Sequence, residues 1–255
     1  IDKEAARKTR SIVMFIGPLL HRIRNFSIPQ SGGCKLGSRT VQPHFFALEH
    51  FGVDIKATAD SFVVTTKPKN PSEIILYESG DTVTENTLMA AALSPHTVTI
   101  KYASANYMVQ ELCTFLTKLG VTIEGVGTTT LTVTGVSDIN TDIEYTLTED
   151  PTDAMFFITA SILTNSPITI TRAPIEFLEL ELLKLEKMGF AYTKSKVYLG
   201  ENGHTKLVDI KTKPGKLTAL HEKIHPSVYP GLNIDNLPFF AVIATQAEGQ
   251  TLIHD

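Results

Sequence analysis

Phe115-Leu116-Thr117-Lys118-Leu119-Gly120-Val121-Thr122-Ile123 reads as the end of a helix, a glycine stop and the start of an alternating strand. The same grammar recurs at Ala47-Leu48-Glu49-His50-Phe51-Gly52-Val53-Asp54-Ile55 and at Leu183-Lys184-Leu185-Glu186-Lys187-Met188-Gly189-Phe190-Ala191-Tyr192. The three glycines stand 68 residues (52 to 120) and 69 residues (120 to 189) apart. After each comes a second alternating run, Phe62-Val63-Val64, Leu131-Thr132-Val133 and Lys196-Val197-Tyr198-Leu199, so a hairpin is expected behind each helix.

Between these copies lies a second helix and strand. Asn86 to Leu93 leads to Val98-Thr99-Ile100, Ala154 to Leu163 to Ile168-Thr169-Ile170, Leu237 to Ala247 to Leu252-Ile253, and Ile12 to Leu20 to Phe26-Ser27-Ile28. The repeating unit is therefore about 70 residues of strand, helix, strand, helix and two strands, too long for a solenoid repeat. Stretches such as Met155-Phe156-Phe157-Ile158 are apolar on all sides, which predicts buried helices with sheets outside them.

Composition excludes several classes of partner. The 255 residues are 42% hydrophobic and 20% charged, with formal net charge -4, as in an ordinary globular chain. Without a basic stripe or acidic tail, neither nucleic acid nor an anionic membrane is an expected partner. No apolar run approaches the roughly 18 residues of a membrane span. Two cysteines, Cys34 and Cys113, make no disulfide framework and point to a reducing, cytoplasmic setting. The opening Ile1-Asp2-Lys3-Glu4 has neither an initiator methionine nor the form of a signal peptide, and the chain reads as an internal piece of a longer protein.

Chemistry concentrates in Ser31-Gly32-Gly33-Cys34-Lys35-Leu36-Gly37-Ser38-Arg39. Glycines allow close approach to a ligand, and Lys35 and Arg39 flank the thiol with positive charge that favours the thiolate and attracts an anion. The competing reading is a small buried hydrophobe.

These residues resemble the enolpyruvyl transferase family, in its branch that acts on UDP-N-acetylglucosamine in peptidoglycan synthesis. The resemblance runs over essentially the whole chain. Arg10-Ser11-Ile12 with Gly17-Pro18-Leu19-Leu20 is similar to the family's arginine helix, and Gly32 to Arg39 to its cysteine loop. Thr84-Glu85-Asn86 looks like its Thr-Glu-Asn helix start, and Pro230-Gly231-Leu232-Asn233-Ile234-Asp235 resembles the segment of its catalytic aspartate. The related 5-enolpyruvylshikimate-3-phosphate synthases lack the cysteine loop.

The resemblance implies an α/β fold: an inside-out α/β barrel, or alpha-beta prism, built from βαβαββ repeats. Residues 1–193 would be most of a first barrel and 194–255 the opening of a second. It also implies transfer of the enolpyruvyl group of phosphoenolpyruvate to the 3-hydroxyl of UDP-N-acetylglucosamine, without cofactor or metal. In that reaction Cys34 is the acid and Asp235 the base. Arg10, Arg39, Lys35, Gly33 and Thr82 would bind substrate, the arginines as forked donors for phosphate and carboxylate. An isolated piece would turn over little, because the family's remaining lysine and arginines lie outside it. For Asp235 a helix N-cap, and for Arg10 an exposed helix charge, compete with these roles.

Several positions depart from the family. Its Ser-Val-Gly becomes Gly80-Asp81-Thr82, Glu78 stands near a usual lysine, and its Glu-Pro-Glu becomes Asn106-Tyr107-Met108. Its Arg-Pro-Val-Asp becomes Arg39-Thr40-Val41-Gln42, and its Asp-Arg-Ile-Glu becomes Asp150-Pro151-Thr152-Asp153. Added negative charge suits a diphosphate poorly. A variant acceptor, or a diverged non-catalytic relative binding a sugar nucleotide or a protein, is the alternative.

Two further motifs are expected to carry no chemistry. His221-Glu222-Lys223-Ile224-His225 has zinc-helix spacing, but Pro226 and the upstream Pro214-Gly215 predict a loop. Gly125-Val126-Gly127 falls in a predicted hairpin.

Overall fold

The computed structural model describes residues 3–9, 11–30 and 40–254. The chain packs as two compact units, Ile1–Ile143 and Glu144–Asp255, and each has a hydrophobic core of its own.

The first unit holds two copies of the repeat. One runs α1 (Lys3–Lys8), a 3-10 turn at Ser11–Phe15, α2 (Ile16–Leu19), β1 (Asn25–Pro29), α3 (Gln42–Glu49), β2 (Val53–Ala57) and β3 (Ser61–Thr66). The other is a complete βαβαββ unit: β4 (Glu73–Ile75), α4 (Asp81–Ala92), β5 (Thr97–Lys101), α5 (Tyr107–Lys118), β6 (Thr122–Glu124) and β7 (Thr130–Thr134). Their sheets are ordered β1-β3-β2 and β4-β5-β7-β6, so the last three strands of each copy pair alike. The expected hairpins β2/β3 and β6/β7 form, with Ile55 opposite Val64 and Ile123 opposite Val133.

Helix α4 lies at the centre of this unit. Val83, Leu88, Ala90, Ala91 and Ala92 are buried, and α4 packs against α2, α3 and α5. Close approach of α2 depends on Gly17, where a Cβ would fall 2.4 Å from the Asn86 carbonyl oxygen. The expected helix over Ile12 to Leu20 is split into the 3-10 turn and α2. Pro18 has no N–H to bond Met14 O, which breaks the α-helical ladder there. Likewise α4 begins at Asp81, a turn before the Thr-Glu-Asn sequence.

The second unit runs α6 (Pro151–Leu163), β8 (Thr169–Pro174), a 3-10 turn at Ile175–Phe177, α7 (Glu179–Lys187), β9 (Ala191–Lys194), β10 (Tyr198–Leu199), β11 (Lys206–Lys213) and β12 (Leu217–Thr218). A 3-10 turn at Ile234–Asn236, α8 (Leu237–Ala244) and β13 (Ala247–Glu248) follow. Strands β12 and β13 pair in parallel around α8, as β4 and β5 do around α4.

All three cap glycines have positive φ, at 83°, 97° and 96° for Gly52, Gly120 and Gly189. Around Gly120, Val121 N donates to Leu116 O; around Gly189, Phe190 N donates to Leu185 O, the six-to-one bond of a Schellman cap.

Three expectations are corrected here. The third hairpin partner is β11, which pairs with β9, and Lys196 to Leu199 contributes only the short β10. Strand β11 buries Leu207, Val208 and Ile210, whereas Val197 and Leu199 are exposed, so the core selects the later run. The strand expected at Leu252-Ile253 is a single bridge from Ile253 to Ile224, β13 having formed earlier at Ala247–Glu248. Helix α6 buries Met155 and Ile158 but exposes Phe156 and Phe157 at 53% and 50%. The two compact units meet in sequence at 143/144, and β9, which ends at Lys194, shares a sheet with β8 and β11. The four sheets are separate and do not close into a barrel among the described residues, and no helix there is long and apolar enough to cross a membrane.

Candidate functional site

Arg10, Gly33, Cys34, Lys35 and Arg39 lie outside the described residues. Thr82 belongs to the first unit and Asp235 to the second, and each is built by a local network.

Thr82 is exposed on the first turn of α4. Beneath it, Asn86 is fully buried and saturated. Its Oδ1 accepts from Gly17 N at 2.9 Å, so the amide nitrogen must be the donor on the other side. Asn86 Nδ2 donates to Val13 O at 3.1 Å and to His44 Nδ1 at 3.2 Å. Since Nδ1 accepts, the ring proton of neutral His44 sits on Nε2, which donates weakly to Thr82 Oγ1 at 3.4 Å. The relay makes the Thr82 oxygen an acceptor and leaves its own hydrogen without a partner among the described residues.

The same helix end carries acids. Asp81 Oδ1 accepts from Ser104 Oγ at 2.5 Å and Asp81 Oδ2 from Asn106 Nδ2 at 3.0 Å. Ser104 N also donates to Thr84 Oγ1 at 2.9 Å. These bonds tie the starts of α4 and α5 together, and a carboxylate on the first turn of α4 suits its dipole. One turn on, burial first and the Asp81 charge second push the Glu85 carboxyl up to about 7. Burial, with Glu85 adding to it, pushes the Cys113 thiol up to about 12, so this cysteine is a core residue.

Asp235 sits exposed in the 3-10 turn ahead of α8. Asn233 caps this turn, its Oδ1 accepting from Asp235 N at 2.9 Å, and the N-cap position of α8 itself is Asn236, without a side-chain cap bond. The Asp235 carboxylate has no hydrogen bond among the described residues. Below it Asn236 is buried and donates to the equally buried Glu181.

Sequence reasoning did not single out His44, Ser104 or Glu181, and it noted Asn106 only as a departure from the family, not as a partner of Asp81. The only available signal was a polar residue at an apolar-periodic position, and Glu181 between Leu180 and Leu182 carries it most clearly. His221 to His225 is not helical, as Pro226 predicts, and Gly125 and Gly127 both sit in the β6/β7 turn.

A profile of the EPSP synthase (3-phosphoshikimate 1-carboxyvinyltransferase) family matches residues 2–255. The UDP-N-acetylglucosamine 1-carboxyvinyltransferase of Treponema denticola is 33% identical, over 100% of this chain and 58% of that protein. The protein of that name from Chlorobium phaeovibrioides is 32% identical, over 99% and 57%. The chain thus spans less than two thirds of the curated relatives it matches. Among solved structures, the enolpyruvyl transferase NikO from Streptomyces tendae superimposes with a TM-score of 0.73 at 22% identity, covering 94% of this chain and 55% of that one. An EPSP synthase from Acinetobacter baumannii gives 0.67 at 16% identity, covering 96% and 55%. At these identities the two structures support the fold.

Proposed function

The chain belongs to the EPSP synthase family of enolpyruvyl transferases, its match running from residue 2 to residue 255. From that membership we propose that the protein containing it transfers the enolpyruvyl group of phosphoenolpyruvate to the 3-hydroxyl of UDP-N-acetylglucosamine. The observation that carries this reading is the similarity over the full chain to relatives named as UDP-N-acetylglucosamine 1-carboxyvinyltransferases. In this reading the two compact units belong to the family's two barrels, with the junction at 143/144 rather than 193/194.

The chemistry assigns each side chain a task. Asp235 takes the proton of the acceptor hydroxyl as its oxygen bonds to C2 of phosphoenolpyruvate, and Cys34 delivers a proton to the methylene carbon. Loss of phosphate and of a methyl proton then restores the double bond. Arg10, Arg39 and Lys35 neutralise the phosphate and carboxylate, Gly33 lets the backbone approach, and Thr82 donates its hydroxyl to the acceptor.

A second reading, a relative with a different acceptor or none, is favoured by one observation. Asp81 supplies its own carboxylate to Ser104 and Asn106 at the start of α4, where an anionic ligand group would meet repulsion. Phosphate release from phosphoenolpyruvate with UDP-N-acetylglucosamine, measured on the complete reading frame with Cys34→Ala and Asp235→Ala as controls, separates the two. Turnover lost in both variants supports the transferase; a folded, inactive wild type supports the second reading. Alkylation by the phosphonate epoxide fosfomycin is a parallel probe, because Cys113 is the only other cysteine and its thiol is held protonated.

A further inference from the structure

The buried pair beneath Asp235 has no evident purpose in packing. Glu181 on α7 is 4% exposed and Asn236 is 1% exposed, both within an apolar core that includes Leu178, Leu182, Leu237 and Phe240. They share one hydrogen bond, Asn236 Nδ2 donating to Glu181 Oε1 at 2.9 Å, and Asn236 Oδ1 is buried with no partner. An orphaned acceptor and a carboxylate out of water both cost stability, and two apolar side chains of similar size would avoid both costs. What the pair supplies is direction. Asn236 follows Asp235 in a turn whose other end is fixed by Asn233, through Asp235 N donating to Asn233 Oδ1 and Asn236 N donating to Asn233 O at 3.0 Å. With Asn233 holding one side and Glu181 the other, the backbone of residues 234–236 is clamped, and so is the direction in which the Asp235 side chain leaves it.

We propose that Glu181 is a positioning residue for Asp235, acting through its hydrogen bond to Asn236; the inference rests on the reading of Asp235 as the base. A proton acceptor must meet its donor within a few tenths of an ångström, and a displacement of about 1 Å costs on the order of a hundredfold in rate. Both side chains are buried, so their effect on Asp235 passes through the turn.

The test uses the complete protein and phosphate release from phosphoenolpyruvate. Glu181→Gln keeps an oxygen acceptor for Asn236 and is expected to retain kcat within about twofold. The paired variant Glu181→Leu/Asn236→Leu replaces the tether with an apolar contact, and kcat is expected to fall about tenfold or more, with KM for phosphoenolpyruvate nearly unchanged. Adding that pair to Asp235→Ala should lower the residual rate no further, because the tether acts only through Asp235. Circular dichroism and the melting temperature check that each variant is folded; Asn236→Ala makes the same comparison if the apolar pair does not fold. Undiminished turnover in Asp235→Ala overturns the base assignment and this inference together. Loss in Asp235→Ala with wild-type kcat in the folded apolar variants overturns the positioning role alone. An equal further drop in the Asp235→Ala background makes the pair a general structural element and also overturns it.

Discussion

Asn86 is completely buried, and three elements depend on its amide: it accepts from Gly17 N and donates to Val13 O and His44 Nδ1. Asn86→Ala would remove the side-chain bonds to the Gly17 N–H and the Val13 carbonyl in a buried site, each loss costing about 1–3 kcal/mol. The expected loss is roughly 2–4 kcal/mol, read from the urea midpoint. Glu85 makes the opposite kind of prediction. Its folded-state pKa, raised from 4.5 to about 7, lies above the unfolded value. Its contribution is therefore intact below about 4.5 and lost as pH rises through 7. At pH 8 folding must ionise a half-buried carboxyl, at a cost of up to about 3 kcal/mol. Glu85→Gln should stabilise the protein by roughly that amount at pH 8 and by less than about 1 kcal/mol at pH 5. No difference between the two pH values would show that Glu85 is solvated. At this scale the sequence revealed less than the structure. Asn86 stood in a recognised Thr-Glu-Asn motif, yet its three partners lie up to 73 residues away, and linear spacing carries no trace of them. Asp235 was singled out by motif, while the Glu181 beneath it offered only its place between two leucines.

Among the elements, the helix-glycine-strand grammar was the most legible feature, because a residue forced to positive φ leaves a fixed mark in sequence. Its energetic weight nevertheless differs between copies. At Gly120 a Cβ would meet only a Val136 methyl at 3.9 Å, so Gly120→Ala carries mainly the left-handed penalty, about 1–2 kcal/mol. At Gly52 the Cβ would fall 1.8 Å from Lys67 O, and Lys67 N donates to Gly52 O in the same junction. Gly52→Ala must displace backbone as well and is expected to cost about 3 kcal/mol or more, at least about 1 kcal/mol beyond the Gly120 loss, in paired denaturant melts. Equal losses would mean that Lys67 yields freely. The third hairpin was misread for a related reason. Lys196 to Leu199 alternates as well as β11 does, and only burial of Leu207 and Ile210 decides which run joins β9. Short alternating runs identify strands but not partners, since pairing is settled by the core face.

For the molecule as a whole, the repeat predicted how many copies there are but not where packing divides them. Copies one and two share a core drawn from Ala6 to Val133, and the next core begins at Ala154 and runs to Ile243. A sequence period marks each unit equally and contains no term for which units bury surface against each other, so the division at 143/144 was not legible. That division has a measurable consequence. Leu131 and Phe240 are both buried, 1% and 0% exposed, one in each core. Truncating either to alanine removes about 2–5 kcal/mol of packing. If the two units open as separate cooperative blocks, native-state hydrogen exchange on Leu131→Ala should lose that protection across residues 40–134 and change residues 151–248 by less than about 0.5 kcal/mol. Phe240→Ala should reverse the pattern. Equal loss over the whole chain from either change would mean that the two cores unfold in one step, and that the repeat period, rather than the packing boundary, describes how this chain is held together.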